Sequence, residues 1–260
     1  MAKHEAPGPD DTTHFGFASV SKAAKAGRVR AVFDSVAPKY DLMNDLMSAG
    51  IHRAWKNAMV DWLAPRPGWS VLDVAGGTGD IAFRILRRMG EKTTRLRGRV
   101  TVCDINEAML NQGRDRALDQ GFLNGLVWAV GNAEQTPFGD MSFDAYTIAF
   151  GLRNVTDIDA ALWDARRVLK PGGRFLCLEF SKVVLPGLDA LYDRYSFSIL
   201  PKLGQAIAGD GEAYQYLAES IRRFPDQNTL VDKLTAAGFN RVSYRNLSGG
   251  IAAIHSAWRV

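Results

Sequence analysis

Cysteine and histidine are scarce in this 260-residue sequence, with two and four respectively, and they do not cluster. Cys103 and Cys177 fall in separate apolar, β-prone runs, so both are expected as buried core thiols, and neither a disulfide framework nor a metal centre is expected. Long apolar runs are also missing. No stretch approaches the roughly 20 residues that span a bilayer, and the polar start lacks a signal-peptide core, so a cytoplasmic protein is expected. Aromatic side chains are absent from the basic cluster Arg84, Arg87, Arg88, Lys92, Arg95, Arg97 and Arg99. Without rings to stack bases, that cluster reads as a solvated helix face and loop rather than a nucleic-acid site. With a net charge of +4, weak attraction to anionic lipid stays open.

What is present is ordinary globular material, with 47% hydrophobic and 23% charged residues, enough for one generous domain and an appended segment. Residues 1–20 carry Pro7, Gly8, Pro9, Asp10 and Asp11 and no sustained periodicity, which predicts a flexible arm. From Lys22 to Leu63 apolar positions recur at helical spacing, broken at Pro38 and Gly50; residues 21–66 therefore form a helical extension able to cover the mouth of the main sheet.

From residue 67 onward the rhythm changes. Short β-branched runs at Val71–Val74, Val100–Cys103, Leu126–Val130, Phe143–Ala149 and Arg174–Phe180 alternate with helical patterns at Asp80–Met89, Asn106–Asp119 and Asp157–Leu169. That alternation predicts an α/β fold, a doubly wound and mostly parallel sheet with helices on both faces. Thr156 is the expected N-cap of the last of these helices, and Pro171, Gly172 and Gly173 its expected stop. An insertion at about 183–223 breaks the pattern. Beyond it come a helix near Gln227–Ala237 and two runs, Arg241–Leu247 and Ile251–Trp258, which would close a seven-stranded sheet as an antiparallel hairpin.

The first strand leads into a glycine loop and a helix: Val71, Leu72, Asp73, Val74, Ala75, Gly76, Gly77, Thr78, Gly79, Asp80. Glycines there allow positive φ and close approach of a small molecule at the carboxyl end of the strand, where an open α/β sheet has its crevice. Gly77, Gly79 and Ala82 also satisfy the dinucleotide fingerprint, so an NAD-dependent oxidoreductase is the competing reading. Asp73 weighs against it, because a carboxylate before the loop repels a pyrophosphate and favours a ligand carrying an ammonium and a sulfonium. Asp104 ends the second strand where it can accept from both ribose hydroxyls, a role common to both ligands. After the third strand, Gly131, Asn132, Ala133 and Glu134 offer polar groups to an adenine edge, with Pro137 and Phe138 for apolar packing.

Two longer stretches are more specific than the glycine loop. Tyr40, Asp41, Leu42, Met43, Asn44, Asp45, Leu46, Met47, Ser48, Ala49, Gly50, Ile51, His52, Arg53, Ala54, Trp55 is one; Arg167 to Ser181, with Lys170, Pro171, Gly172, Gly173, Leu178, Glu179 and Phe180, is the other. With Phe150 to Thr156 and Tyr216 to Ile221, they make the chain resemble the ubiquinone and menaquinone biosynthesis C-methyltransferases along most of its length, within the class I, Rossmann-like S-adenosylmethionine methyltransferases. The resemblance implies a seven-stranded methyltransferase domain at 67–260, S-adenosyl-L-methionine as methyl donor, and donor contacts at Thr78, Asp104, Asn132 and Ala133. Two positions depart from the family's usual pattern: Ala75 replaces a glycine of the donor loop, and Ala149 replaces a serine that contacts the donor in some members.

The implied reaction is methylation of a ring carbon of a prenylated quinol, either 2-methoxy-6-polyprenyl-1,4-benzoquinol or demethylmenaquinol or both. Such chemistry needs alignment, exclusion of water and a group that handles the quinol proton or stabilises the phenolate. Arg153, just past the fourth strand, is the first candidate, though it can equally be a structural hub. Tyr40, Asp41 and His52 are further catalytic candidates, His52 being open to a capping or packing role. Asn44, Asn154, Glu179 and Tyr195 are candidates for lining the acceptor site. Leu185, Leu188, Leu191, Tyr192, Tyr195, Phe197, Ile199, Leu200, Leu203, Ile207 and Ala208 can form a lid and an apolar tunnel for the prenyl tail, or a dimer contact or plain core. Peripheral contact with the inner face of the membrane, contact with a quinone-biosynthetic complex, and a homodimer all stay open.

Overall fold

The computed structural model describes residues 12–36, 45, 48, 50–90, 98–188, 192, 194–199, 202, 205 and 211–260. Alternation of period two places successive side chains of each strand on opposite faces, and helices cover both. The strands are β3 (Ser70–Val74), β4 (Arg99–Asp104), β5 (Leu126–Val130), β6 (Phe143–Ala149), β7 (Leu169–Phe180), β8 (Asn240–Leu247) and β9 (Ala252–Trp258). They form one seven-stranded sheet in the order β5-β4-β3-β6-β7-β9-β8. Strands β3 to β7 are parallel; β9 runs antiparallel between β7 and β8, as the hairpin expectation requires.

On one face, Val71, Val100, Ala145, Leu176 and Ile254 pack against α2 (His52–Leu63), α3 (Asp80–Arg88) and α6 (Gly211–Arg223). On the other, Leu72, Val74, Tyr146, Ile148 and Phe175 pack against α5 (Ile158–Val168) and α7 (Gln227–Ala236). Strand order reverses between β3 and β6, so the carboxyl ends of these two neighbours diverge into loops on either side of a crevice. α4 (Glu107–Asp119) follows β4, with Asn106 as its N-cap: Oδ1 accepts from the amide of Met109 at 3.1 Å.

Ahead of the sheet, α1 (Lys22–Val36) and α2 are the expected helices of the extension. Three local expectations are corrected. Within the expected flexible arm, Thr12–Phe15 and Ala18–Ser21 pair as an antiparallel hairpin, β1 and β2. Its turn takes a positive φ of 57° at Gly16 and is tied to α6, where the Phe17 amide donates to Glu219 Oε2 at 2.9 Å. The cap of α5 is Asp157, whose carboxylate accepts from the Ala160 amide, one residue later than expected; the Thr156 amide donates to Glu134 Oε1 at 2.7 Å. Finally, α5 ends at Val168 and the chain turns extended at Leu169, so Pro171, Gly172 and Gly173 lie within β7, where the pairing with β6 shifts register.

Of the basic cluster, Arg84, Arg87 and Arg88 lie on α3 and Arg99 opens β4. Arg84 donates to Asp80 and Asn57, Arg87 lies over the Phe122 ring, and Arg88 pairs with Asp61; Lys92, Arg95 and Arg97 lie outside the described residues. Cys103 and Cys177 are free and buried, and burial pushes the Cys103 thiol up to about 12. Among the described residues no helix is long and apolar enough to cross a membrane.

Candidate active site

The crevice at the switch point is a cleft open to solvent, lined from four strand ends and from α1. Val74 at the end of β3 with Ala75 and Gly77 beyond it form part of its wall, as do Asp104 at the end of β4, Ile105 and Asn106 beyond it and Met109 in α4. Gly131, Asn132, Ala133 and Glu134 after β5 and Phe150, Gly151, Asn154, Val155 and Thr156 after β6 continue it. Its remaining side is α1, through Ala26, Val29, Arg30 and Phe33.

Contacts between chain segments fix this geometry. Asp104 accepts from the Gly77 amide at Oδ2 (2.9 Å) and from the Asn106 amide at Oδ1 (2.8 Å), so one carboxylate ties the glycine loop to the start of α4. Burial pushes its carboxyl above the usual range, against the opposing amides of Asn106 and Gly77. A Cβ on Gly76 would stand 2.6 Å from Val102 Cγ1, and one on Gly151 would stand 2.3 Å from Ala75 Cβ. Both loops are therefore pressed against their surroundings, and Ala75 itself holds a left-handed φ of 50°. α1 is latched over the cleft: Lys25 Nζ donates to Val155 O at 2.8 Å, Arg30 Nη2 to Ile105 O at 3.0 Å, and Asn106 Nδ2 to Asp34 Oδ1 at 2.7 Å.

Of the expected donor-binding residues, Gly77, Asp104, Asn132 and Ala133 line the cleft, and Asn132 Oδ1 also accepts from the Glu134 amide at 3.1 Å. Asp73, Thr78 and Gly79 do not. Asp73 lies beneath the loop, buried, where its Oδ1 accepts from Thr147 Oγ1 at 2.7 Å across paired strands. Its Oδ2 is buried without a hydrogen-bond partner among the described residues, and burial pushes the carboxyl up to about 7. Thr78 is buried with its hydroxyl accepting from Arg116 at 2.6 Å, and Gly79 precedes α3 with a φ of 83°, in a space where a Cβ would meet Trp128.

The acceptor candidates form a second group, behind Phe150. Arg153 Nη1 donates to Phe150 O at 2.7 Å and to Glu179 Oε1 at 2.6 Å, and its guanidinium lies over the Phe180 ring. Among the described residues Arg153 Nε and Glu179 Oε2 are buried without hydrogen-bond partners. Burial pushes the Glu179 carboxyl up to about 7 even though Arg153 opposes the shift. Asn154 joins the two groups: it lines the cleft, and its Oδ1 accepts from the Tyr216 hydroxyl at 3.0 Å. Tyr195, half-buried, packs against the cluster that holds Phe150 and Phe180.

His52 stands apart from both groups. Its Nδ1 is 3.0 Å from Ser48 Oγ, and burial together with the Lys56 ammonium pushes its pKa down to about 4, so it is neutral at physiological pH. The same Ser48 hydroxyl accepts from the His52 amide at 3.2 Å. Tyr40, Asp41 and Asn44 lie outside the described residues, as do Leu191, Leu200, Leu203, Ile207 and Ala208 of the expected lid. Sequence reasoning missed Arg30, Phe33 and Asn106 as cleft residues. Asn106 carried a usable signal, a capping residue directly after a strand end; the α1 residues carried none beyond a helix preceding the sheet.

A parallel sheet of this order, with a glycine loop and a carboxylate on successive strand ends, is the fold of the S-adenosylmethionine-dependent methyltransferases. Solved structures of the same fold include one such enzyme from Aquifex aeolicus, with 18% identity and a TM-score of 0.57 over 79% of this chain and 89% of that one. Another is a geranyl diphosphate C-methyltransferase from Streptomyces coelicolor A3(2), with 17% identity and a TM-score of 0.57 over 82% of each chain. The chain belongs to the ubiE/COQ5 methyltransferase family, whose model matches residues 21–259. A ubiquinone/menaquinone biosynthesis C-methyltransferase, UbiE of Brucella abortus (strain S19), is 58% identical over 248 residues, covering 95% of this chain and 90% of that protein. The corresponding protein of Brucella anthropi is 57% identical over 95% of this chain and 92% of its own length. The protein is thus an S-adenosylmethionine-dependent C-methyltransferase, and the dinucleotide oxidoreductase reading is set aside.

Proposed function

We propose that this chain methylates a ring carbon of a prenylated quinol, 2-methoxy-6-polyprenyl-1,4-benzoquinol, demethylmenaquinol or both. The observation that carries this reading is the 58% identity to a quinone-biosynthetic C-methyltransferase across 95% of the chain. The residues of the cleft fit the donor. Asp104 keeps lone pairs available for a ribose diol, Asn132 and Glu134 suit an adenine edge, and Ile105, Met109 and Phe33 supply apolar packing. Asp73 acts on the donor's cationic end through its field from beneath the loop rather than by contact. When bound, the donor supplies an electrophilic methyl group.

The chain's own task is then alignment and proton handling. Asn154, held by Tyr216, orients the acceptor at the junction of the two groups. Arg153 Nε and Glu179 Oε2 offer one free donor and one free acceptor to a quinol hydroxyl. A Glu179 carboxyl near neutrality takes up a proton there, and the adjacent guanidinium stabilises the phenolate oxygen. α1, which walls the cleft through Ala26, Val29, Arg30 and Phe33, helps to exclude water from it. An acceptor of this kind draws the enzyme to the membrane that holds it.

Incubation with methyl-labelled donor and short-tailed forms of each quinol tests the reaction. Mass spectrometry should place the label on a ring carbon of at least one. Label on oxygen, or on neither ring, sinks the proposal.

A further inference from the structure

The β1–β2 hairpin holds an aromatic side chain outward with some care. Gly16 takes a left-handed φ, Glu219 Oε2 fills the space a Cβ there would need, and the same carboxylate accepts from the Phe17 amide. Phe17 is nevertheless 52% exposed. It stacks on Phe197, itself 39% exposed, with ring centroids 6.2 Å apart and planes 20° apart. Behind the rings stand two guanidinium groups at the end of α6, Arg223 over Phe17 and Arg222 over Phe197, each 5.9 Å from the ring centroid. The field around them is positive: burial lowers the His14 pKa, and Lys25 and Arg223 lower it further. Among the described residues Glu219 is an acidic group at this corner, and its carboxylate is engaged by the hairpin and by Gln215.

We infer that Phe17 and Phe197, backed by Arg222 and Arg223, form the surface by which this protein lies against an anionic lipid bilayer. Two rings are far too little area for a stable protein interface, which buries on the order of 1,200–2,000 Å². They suffice for shallow insertion at a lipid headgroup boundary, where aromatic rings lodge and the exposed Arg223 reaches phosphate while Arg222 adds to the positive field. The inference deepens the proposed function, since a prenylated acceptor resides in the bilayer and Phe197 lies two residues from Tyr195 of the acceptor group.

The full chain should co-sediment with phosphatidylcholine vesicles containing phosphatidylglycerol and much less with phosphatidylcholine alone, and added salt should release it. Phe17→Ser should lower the partition coefficient about tenfold while leaving the thermal melt unchanged. Arg223→Glu should lower binding to the anionic vesicles only. Turnover of a water-soluble, short-tailed quinol should be the same in Phe17→Ser as in the parent chain; absence of that turnover in both proteins would sink the acceptor reading and leave the docking result standing. Equal partition of Phe17→Ser and the parent, equal binding to both vesicle types, or loss of self-association in Phe17→Ser with vesicle binding intact would each overturn the inference.

Discussion

Arg153 and Glu179 form a buried ion pair at the carboxyl end of the sheet, 2.6 Å apart with side chains 2% and 1% exposed. The guanidinium cannot shed its charge, whereas the carboxyl neutralises by taking a proton. Its raised folded-state pKa means that the stability it contributes is fully present below its ordinary value and lost as pH rises through about 7. Removing Arg153 removes the main opposing influence and raises that pKa further. Arg153→Ala should therefore cost about 3 kcal/mol, with the deficit relative to the parent growing between pH 7 and 9. Urea denaturation at several pH values measures this, and a deficit independent of pH would show that Glu179 is not the uncompensated group. The same variant should bind the donor normally and lose turnover.

Asp73 and Thr147 face each other across β3 and β6, and burial pushes Asp73 up to about 7. The carboxyl ionises as pH rises through that value, so affinity for the donor's end, whose sulfonium and ammonium outweigh its one carboxylate, should climb between pH 6 and 8. Stability moves the other way: the contribution of the protonated form is present at low pH and lost above about 7. Asp73→Asn should abolish the affinity dependence and leave, of the stability dependence, the share that belongs to Glu179. Calorimetric titration of the donor across this range decides the matter, and a variant that retains the climb assigns it to another group.

The sheet was legible and the rest less so because of what each residue has to satisfy. β3 to β6 are short β-branched runs between glycines and caps, and their packing needs repeat at period two, so Leu126–Val130 and Phe143–Ala149 are found where expected. The β1–β2 hairpin has strands of four residues, too short to show alternation, and is held by Glu219 from 202 positions away. α1 hides its role for a different reason. Val29, Arg30 and Phe33 face one cleft, so a charge and two apolar side chains share a surface that no simple apolar stripe announces. Asp73 shows the limit of reading charge from sequence, because its position before the loop was evident and its burial beneath it was not.

Asp104 has a structural duty in addition to any contact with ribose. Each of its oxygens already accepts a backbone amide, from Gly77 and from Asn106. Asp104→Ala strands both amides and loosens the glycine loop from α4, at about 1–3 kcal/mol for each amide left unsatisfied. Donor affinity should fall at least tenfold, and the melting temperature should fall with it. Asp104→Asn, which can still accept with one oxygen, should recover part of the stability and little of the affinity. Equal recovery of both would mean that the carboxylate serves the loop alone.

Gly151 and Ala75 meet where the loops of β6 and β3 part. A methyl at 151 would stand 2.3 Å from the Ala75 Cβ, both atoms being fixed to backbone, so Gly151→Ala must push the two loops apart. Overpacking of this kind costs about 1–3 kcal/mol, and here the displacement falls on the donor cleft. Ala75 holds a φ of 50°, a conformation glycine adopts freely, so Ala75→Gly removes the colliding methyl without backbone strain. The double variant should regain most of the affinity and stability that Gly151→Ala loses, with the coupling read from a double-mutant cycle. If the two changes simply add, the loops yield independently, and their contact does not set the width of the cleft.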